Sequence, residues 1–173
     1  MSKELFVPYD NRTRKFSLEG ECTYARVTSV HDGDTMTCVI PFRDEFFKFS
    51  IRLDGIDTCE ITSETPLNRE LATRARNRLI GLVTGGKSTL LDQHAFDQRK
   101  NVCKFFDKDV YLVWIECGDF DKYGRVLVNA KLHPDDTRSL SDILISEHLA
   151  YKYEGGKKLT EQEQITRLGG HAD

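Results

Sequence analysis

The chain has 173 residues, enough for one domain with a real core, and its 39% hydrophobic and 31% charged content is that of a folded globular protein rather than a disordered one. The formal charge of −3 argues against a protein that coats nucleic acid by bulk attraction, although eight basic residues face three acidic ones between Pro66 and Lys104. The apolar runs are too short to span a bilayer, the first residues carry no apolar secretory core, and five cysteines without a C-x-x-C pair suggest reduced thiols inside a cell.

Residues 1–20 are polar and read as an N-terminal arm, ahead of one domain over 21–173. A first strand is predicted from Glu21 to Val30, with Ala25 and Val27 alternating against Tyr24, Arg26 and Thr28. Asp32-Gly33 signals a hairpin turn, and a second strand runs from Thr35 to Ile40. In the third strand Phe47, Phe49, Ile51 and Leu53 point one way and Lys48, Ser50 and Arg52 the other, so Arg52 is expected to leave the core face and meet a ligand. Asp54-Gly55 then breaks the strand and brings Asp57, Thr58 and Glu60 round in a loop.

Pro66 is preset for the first turn of a helix whose stripe is Leu67, Leu71, Ala75, Leu79 and Leu82, with a stop at Gly85-Gly86. From about 87 to 109 the sequence has no sustained period and reads as an inserted loop with a short helical turn near Asp92–Asp97. Val110–Cys117 is apolar on both sides and reads as a central strand packed on both faces. Gly118–Gly124 turns, and Arg125–Leu132 alternates with Val126, Val128, Ala130 and Leu132 inward. Ser139 opens a capping box before a second helix, and a third helix follows Thr160 and ends at Gly169-Gly170. Five strands, a helix between the third and fourth, and helices at the end predict an α+β, barrel-rich fold: a five-stranded OB-fold Greek-key barrel.

The chemistry-bearing residues lie in three clusters: His31-Asp32-Gly33-Asp34-Thr35, Arg52 through Glu60, and Asp121-Lys122-Tyr123-Gly124-Arg125. Carboxylates that follow a tight turn (Asp34) and a broken strand (Asp57) can converge at one barrel rim and suit a hard cation. Arg52 and Arg125 are the candidate phosphate clamps, because a planar guanidinium grips two phosphate oxygens at once. Tyr151 and Tyr153 can stack on a base, with core packing as the open alternative. Gly81–Ser88 matches the P-loop pattern letter for letter. A P-loop must open a helix after a strand, whereas this stretch closes one, so Gly85-Gly86 is read as a helix stop.

Taken together, the three clusters resemble the D-G-D-T, R-x-x-x-x-D-T-P-E and D-K-Y-G-R patterns of the staphylococcal-nuclease-like (thermonuclease) family, from about Tyr24 to about Lys158. The departure is Cys59, which stands where the family has proline and leaves the loop less stiff. The resemblance implies calcium as the metal, held by Asp34, Asp57 and the Thr58 carbonyl. It implies Glu60 as the residue that orients or deprotonates the attacking water, and Lys122 and Tyr123 as contacts to the nucleotide. It further implies a monomeric endonuclease that hydrolyses DNA and RNA, prefers single strands and leaves 3′-phosphate ends. Asp34→Ala and Arg52→Ala are then each expected to abolish most activity and leave the fold intact. A non-catalytic nucleic-acid or protein-binding OB module is the alternative.

Overall fold

Five strands close on themselves: β1 (Cys22–Asp32), β2 (Thr35–Phe42), β3 (Glu45–Leu53), β5 (Tyr111–Phe120) and β6 (Val126–Lys131). A computed structural model describes residues 2–87 and 99–169, and the order round its barrel is β1-β2-β3-β6-β5, with β5 returning to β1. Every pair is antiparallel except β3 with β6, where Ile51 lies beside Val126 and Leu53 beside Val128. The expected α+β, OB-like barrel is the architecture found, with four α-helices around it. Closure leaves the sheet without a free edge, which removes the usual template for unwanted strand pairing.

Period-two alternation fills the interior. Ala25, Val27, Met36, Cys38, Ile51, Leu53, Val113, Ile115, Val126, Val128 and Ala130 are all buried. Three expectations fail at the ends and outside of the barrel. Leu112 is 47% exposed, so β5 packs its apolar core on one face rather than two; among the described residues its other face carries the Trp114 ring against Tyr24 and the Glu116 carboxylate bonded to Asn129 and Lys131. Leu132 lies beyond β6 and is 38% exposed. Phe47 is likewise 43% exposed near the far end of β3.

The helix α1 (Pro66–Val83) buries a wider stripe than the one read from sequence, because it touches two surfaces. Ala75, Leu79, Ile80 and Val83 join the barrel core. Leu71 and Ala72 join a second cluster with Cys59, Tyr151 and Leu168, while Leu67 faces solvent. Gly85 (φ 59°) and Gly86 (φ 80°) then adopt left-handed conformations, so the P-loop-like stretch is a helix stop in the described residues.

The segment read as an inserted loop contains α2 (Arg99–Asp107), which corrects that expectation. Val102 and Phe106 lie one turn apart and are buried against the barrel, and Phe105 stacks on Tyr111 with ring centroids 5.7 Å apart. The helical turn expected near Asp92–Asp97 lies outside the described residues. The arm is likewise partly docked. Leu18 is buried in the core, and Phe16 meets Phe42 edge-on at 5.3 Å. The helices α3 (Leu140–Ser146) and α4 (Glu161–Leu168) both begin with complete capping boxes, at Ser139 and Thr160. A two-residue ladder not anticipated from sequence joins β4 (Ile56–Asp57) to β7 (Tyr151–Lys152).

Candidate functional site

The residues of the first two clusters meet because of strand register. Thr35 pairs with Arg52 across β2 and β3, and the Leu53 N–H donates to the Asp34 carbonyl at 2.8 Å. Asp34 therefore sits beside the Arg52 guanidinium. Gly55 (φ 74°) turns the chain back after β3, and β4 then lays Asp57 over the same guanidinium. Gly33 is needed for close packing rather than for φ. A Cβ there would fall 2.6 Å from Ala75 Cβ and 3.0 Å from Thr58 Cγ2. The Asp34 turn, the Asp57–Thr58 loop and α1 are thus pressed together, with Thr58 buried between them.

Arg52 leaves the core face, as expected, but it is almost wholly buried. It is 6% exposed and occupied by protein. Its Nη1 donates to Asp34 Oδ2, and its Nη2 donates to Asp57 Oδ1 at 2.7 Å and to the Ile56 carbonyl at 2.9 Å. The Thr35 hydroxyl donates to the other Asp34 oxygen at 2.8 Å. Asp57 is fully enclosed. Its Oδ2 accepts from the Tyr151 hydroxyl at 2.5 Å, and its Oδ1 accepts from Lys158 Nζ at 2.9 Å. The same ammonium lies 3.0 Å from Glu60 Oε1.

These environments set the carboxylates apart. Burial pushes the Asp34 pKa up to about 6, against the opposing pull of Arg52 and Thr35. Asp57 goes the other way. Burial acts to raise it, but hydrogen bonds from Tyr151, Lys158 and Arg52 together hold it below the usual carboxylate range. Asp32, at the end of β1, is raised by burial and by the nearby Glu60 charge.

Arg125 is held by its own turn. Its Nη2 and Nε donate to Asp121 Oδ2 at 2.6 and 2.7 Å, while Asp121 Oδ1 accepts the backbone N–H groups of Tyr123 and Arg125. Arg125 Nη1 reaches the Thr35 hydroxyl at 3.4 Å, so the third cluster connects to the first. Lys122 and Arg125 both lie over the ring of Tyr123, at 5.0 and 5.4 Å, and that ring is 73% exposed.

A cleft of about 790 Å³ opens over this rim, within the range of small-molecule sites. Arg52, Lys122, Tyr123, Arg125, Tyr153 and Lys158 line it. Asp54, Asp121 and Glu154 line it too, so its wall carries both signs, while Asp34 and Asp57 do not line it and are joined to it through Arg52. A larger hollow of about 1360 Å³ lies under the arm and shares Asp121 and Lys122 with this cleft, but neither Asp34 nor Asp57 lines it.

Tyr153 remains on the cleft wall, its hydroxyl donating to the Gly156 carbonyl at 2.8 Å. Tyr151 does not offer a stacking face. It is 3% exposed, packed with Cys59, Leu71, Ala72 and Leu168, and its hydroxyl accepts from Gln164 at 3.2 Å. Gln164 in turn accepts from the buried Asn68 amide at 2.9 Å, so α1 and α4 together fix the group that holds Asp57. Cys59 is also buried, and burial pushes its thiol up to about 11. Its side chain fills a cluster, beyond the loosening expected from the loss of proline.

Sequence reasoning placed Thr35 and Asp121 in its clusters without giving them a role, and it missed Lys158 as a member of the site. Asp121 was legible from its position four residues before Arg125. Lys158 was not, because nothing local ties it to Asp57, 101 positions earlier. The oxygen donors here fit a hard cation by chemical type, and a lysine ammonium already rests on two of them as a stand-in cation. Among the described residues, no three His, Cys, Asp or Glu side chains stand close enough together to hold a metal ion. No protein-family model matches the chain, and no curated protein matches it significantly.

Proposed function

We propose that this chain is a calcium-dependent phosphodiesterase of the staphylococcal-nuclease-like kind, cutting DNA and RNA with little sequence selectivity and leaving 3′-phosphate ends. The observation that supports it is the meeting of Asp34, Arg52, Asp57 and Glu60 in one charge network, with Arg125 linked to it through Thr35, beside a cleft that Arg52, Lys122, Arg125 and Lys158 help to line. Asp34, Asp57 and the Thr58 carbonyl would hold the ion. When bound, it would neutralise charge on the scissile phosphate and polarise it toward attack.

The protein's own groups do the rest. Arg52 and Arg125 bind phosphate oxygens and stabilise the extra negative charge of the five-coordinate transition state, each worth about 2–4 kcal/mol in such roles. Asp121 keeps Arg125 extended toward the cleft. Glu60 orients the attacking water through the hydrogen-bond acceptors of its carboxylate. Lys122, Tyr123 and Tyr153 hold the nucleotide, with the Tyr123 ring available to a base. Tyr151 acts on the reaction only by positioning Asp57.

The test is release of acid-soluble nucleotides from single-stranded DNA and RNA with calcium and with a chelator. Calcium-dependent release is expected. Equal release in both, or none in either, overturns the reading. The alternative, a non-catalytic binding module, is favoured by one observation: both arginines are already bonded to protein carboxylates. Binding of fluorescent oligonucleotide without any cleavage under saturating calcium is its signature.

A further inference from the structure

We propose that Lys158 is a tethered counter-cation that holds Asp57 and Glu60 in the calcium-free protein and must leave them when the divalent ion binds. This rests on the reading of the site as a calcium centre and adds a built-in competitor to it.

Three observations carry the inference. The first is the position of the charge. Lys158 Nζ lies 2.9 Å from Asp57 Oδ1 and 3.0 Å from Glu60 Oε1, bridging two acids that would otherwise repel. A compact ammonium with three donors occupies a set of oxygen atoms as a small cation does, and it cannot share them with a divalent ion at contact distance.

The second is the difference among the three partners of Asp57. Arg52 and Tyr151 are 6% and 3% exposed and are fixed by further bonds to Ile56 and Gln164. The Lys158 side chain is 43% exposed and also lines the cleft. It can therefore withdraw into solvent or toward a bound phosphate without opening the core.

The third is the tether. Lys158 follows Gly155 (φ 96°) and Gly156 (φ 88°), and nothing lies within 4 Å of a Cβ at either position. Two left-handed glycines in open space form a joint on which the lysine can swing. Its near end is anchored, since the Tyr153 N–H donates to the Gly55 carbonyl at 2.9 Å. Among the described residues, loss of the ammonium leaves Arg52 as the one cation still bonded to Asp57 and none bonded to Glu60, so a divalent ion meets less competition.

Calcium titration calorimetry on wild type, Lys158→Met, Lys158→Gln and Lys158→Arg, without nucleic acid, tests this. The neutral variants are expected to bind calcium about tenfold more tightly or better, with Lys158→Arg near wild type. Calcium should also raise the melting temperature of the neutral variants by more than it raises that of wild type. Equal or weaker binding by both neutral variants overturns the counter-cation and leaves the calcium centre standing. No calcium binding by any of the four proteins overturns both.

Discussion

Replacing Arg52 by methionine keeps most of the side-chain volume and removes the charge together with the guanidinium donors to Asp34, Asp57 and the Ile56 carbonyl. Its two ion pairs join side chains that are 8% exposed on the arginine and 5% and 0% exposed on Asp34 and Asp57. Removing one partner from a buried pair costs about 3–5 kcal/mol, because the remaining charge is left unpaired. Thr35, Tyr151 and Lys158 still bond the two acids, so the lower end applies. At roughly 2–4 °C per kcal/mol for a chain of this size, about 3 kcal/mol lowers the melting temperature by roughly 6–12 °C.

The loss also depends on pH. The folded-state pKa of Asp34 is already raised to about 6, and the variant raises it further. A raised folded pKa favours the folded state below the unfolded value and loses that advantage as pH rises through the folded value. The penalty in the variant is therefore smallest near pH 5 and largest at pH 8. Urea unfolding followed through Trp114, the chain's single tryptophan, measures it. Adding Asp34→Asn to Arg52→Met should recover part of the loss. A cost below about 1 kcal/mol, typical of an exposed pair, refutes the reasoning, and so does a further loss on adding Asp34→Asn. Because Arg52 is buried in two ion pairs, any activity its removal costs must be separated from stability lost.

Two further predictions follow from the same rim. Gly33→Ala should cost about 1–3 kcal/mol in urea unfolding, since its Cβ would press on Ala75 and Thr58; a Gly33→Ala protein as stable as wild type removes the close-packing account. Asp121 is held below the ordinary aspartate value of 3.8, because its bonds from Arg125 and Tyr123 outweigh the opposing effect of burial. A depressed folded pKa contributes stability above the unfolded value and loses it as pH falls through the folded value. Wild type should therefore exceed Asp121→Asn in thermal stability at pH 7, with the gap closing below about pH 4; a gap unchanged down to pH 3 refutes the role given to this turn.

The barrel was legible because alternation in β1, β3 and β6 is a local property that survives without partners. Both capping boxes were legible for the same reason. The helix α2 was hidden because its buried residues, Val102 and Phe106, make only one short repeat amid polar neighbours. The outer face of β5 was misjudged because composition cannot say that Leu112 has no layer above it. At the site, Arg52 was assigned to the correct strand face. That face is then roofed by β4, which depends on a two-residue ladder to β7 nearly a hundred positions away.

Residue order alone determined which chemical groups this protein owns and which turns and strands carry them: two acids after turns, an arginine opposite the core, and a second arginine four residues after an aspartate. Tertiary structure decided which of those groups are spoken for. Tyr151 became a buried donor instead of a stacking surface, and Lys158 became the cation on Asp57 and Glu60. The physical reason is that alternation and turn propensity are set by neighbours in the chain, whereas burial and charge pairing are set by whatever the closed barrel brings to the same rim.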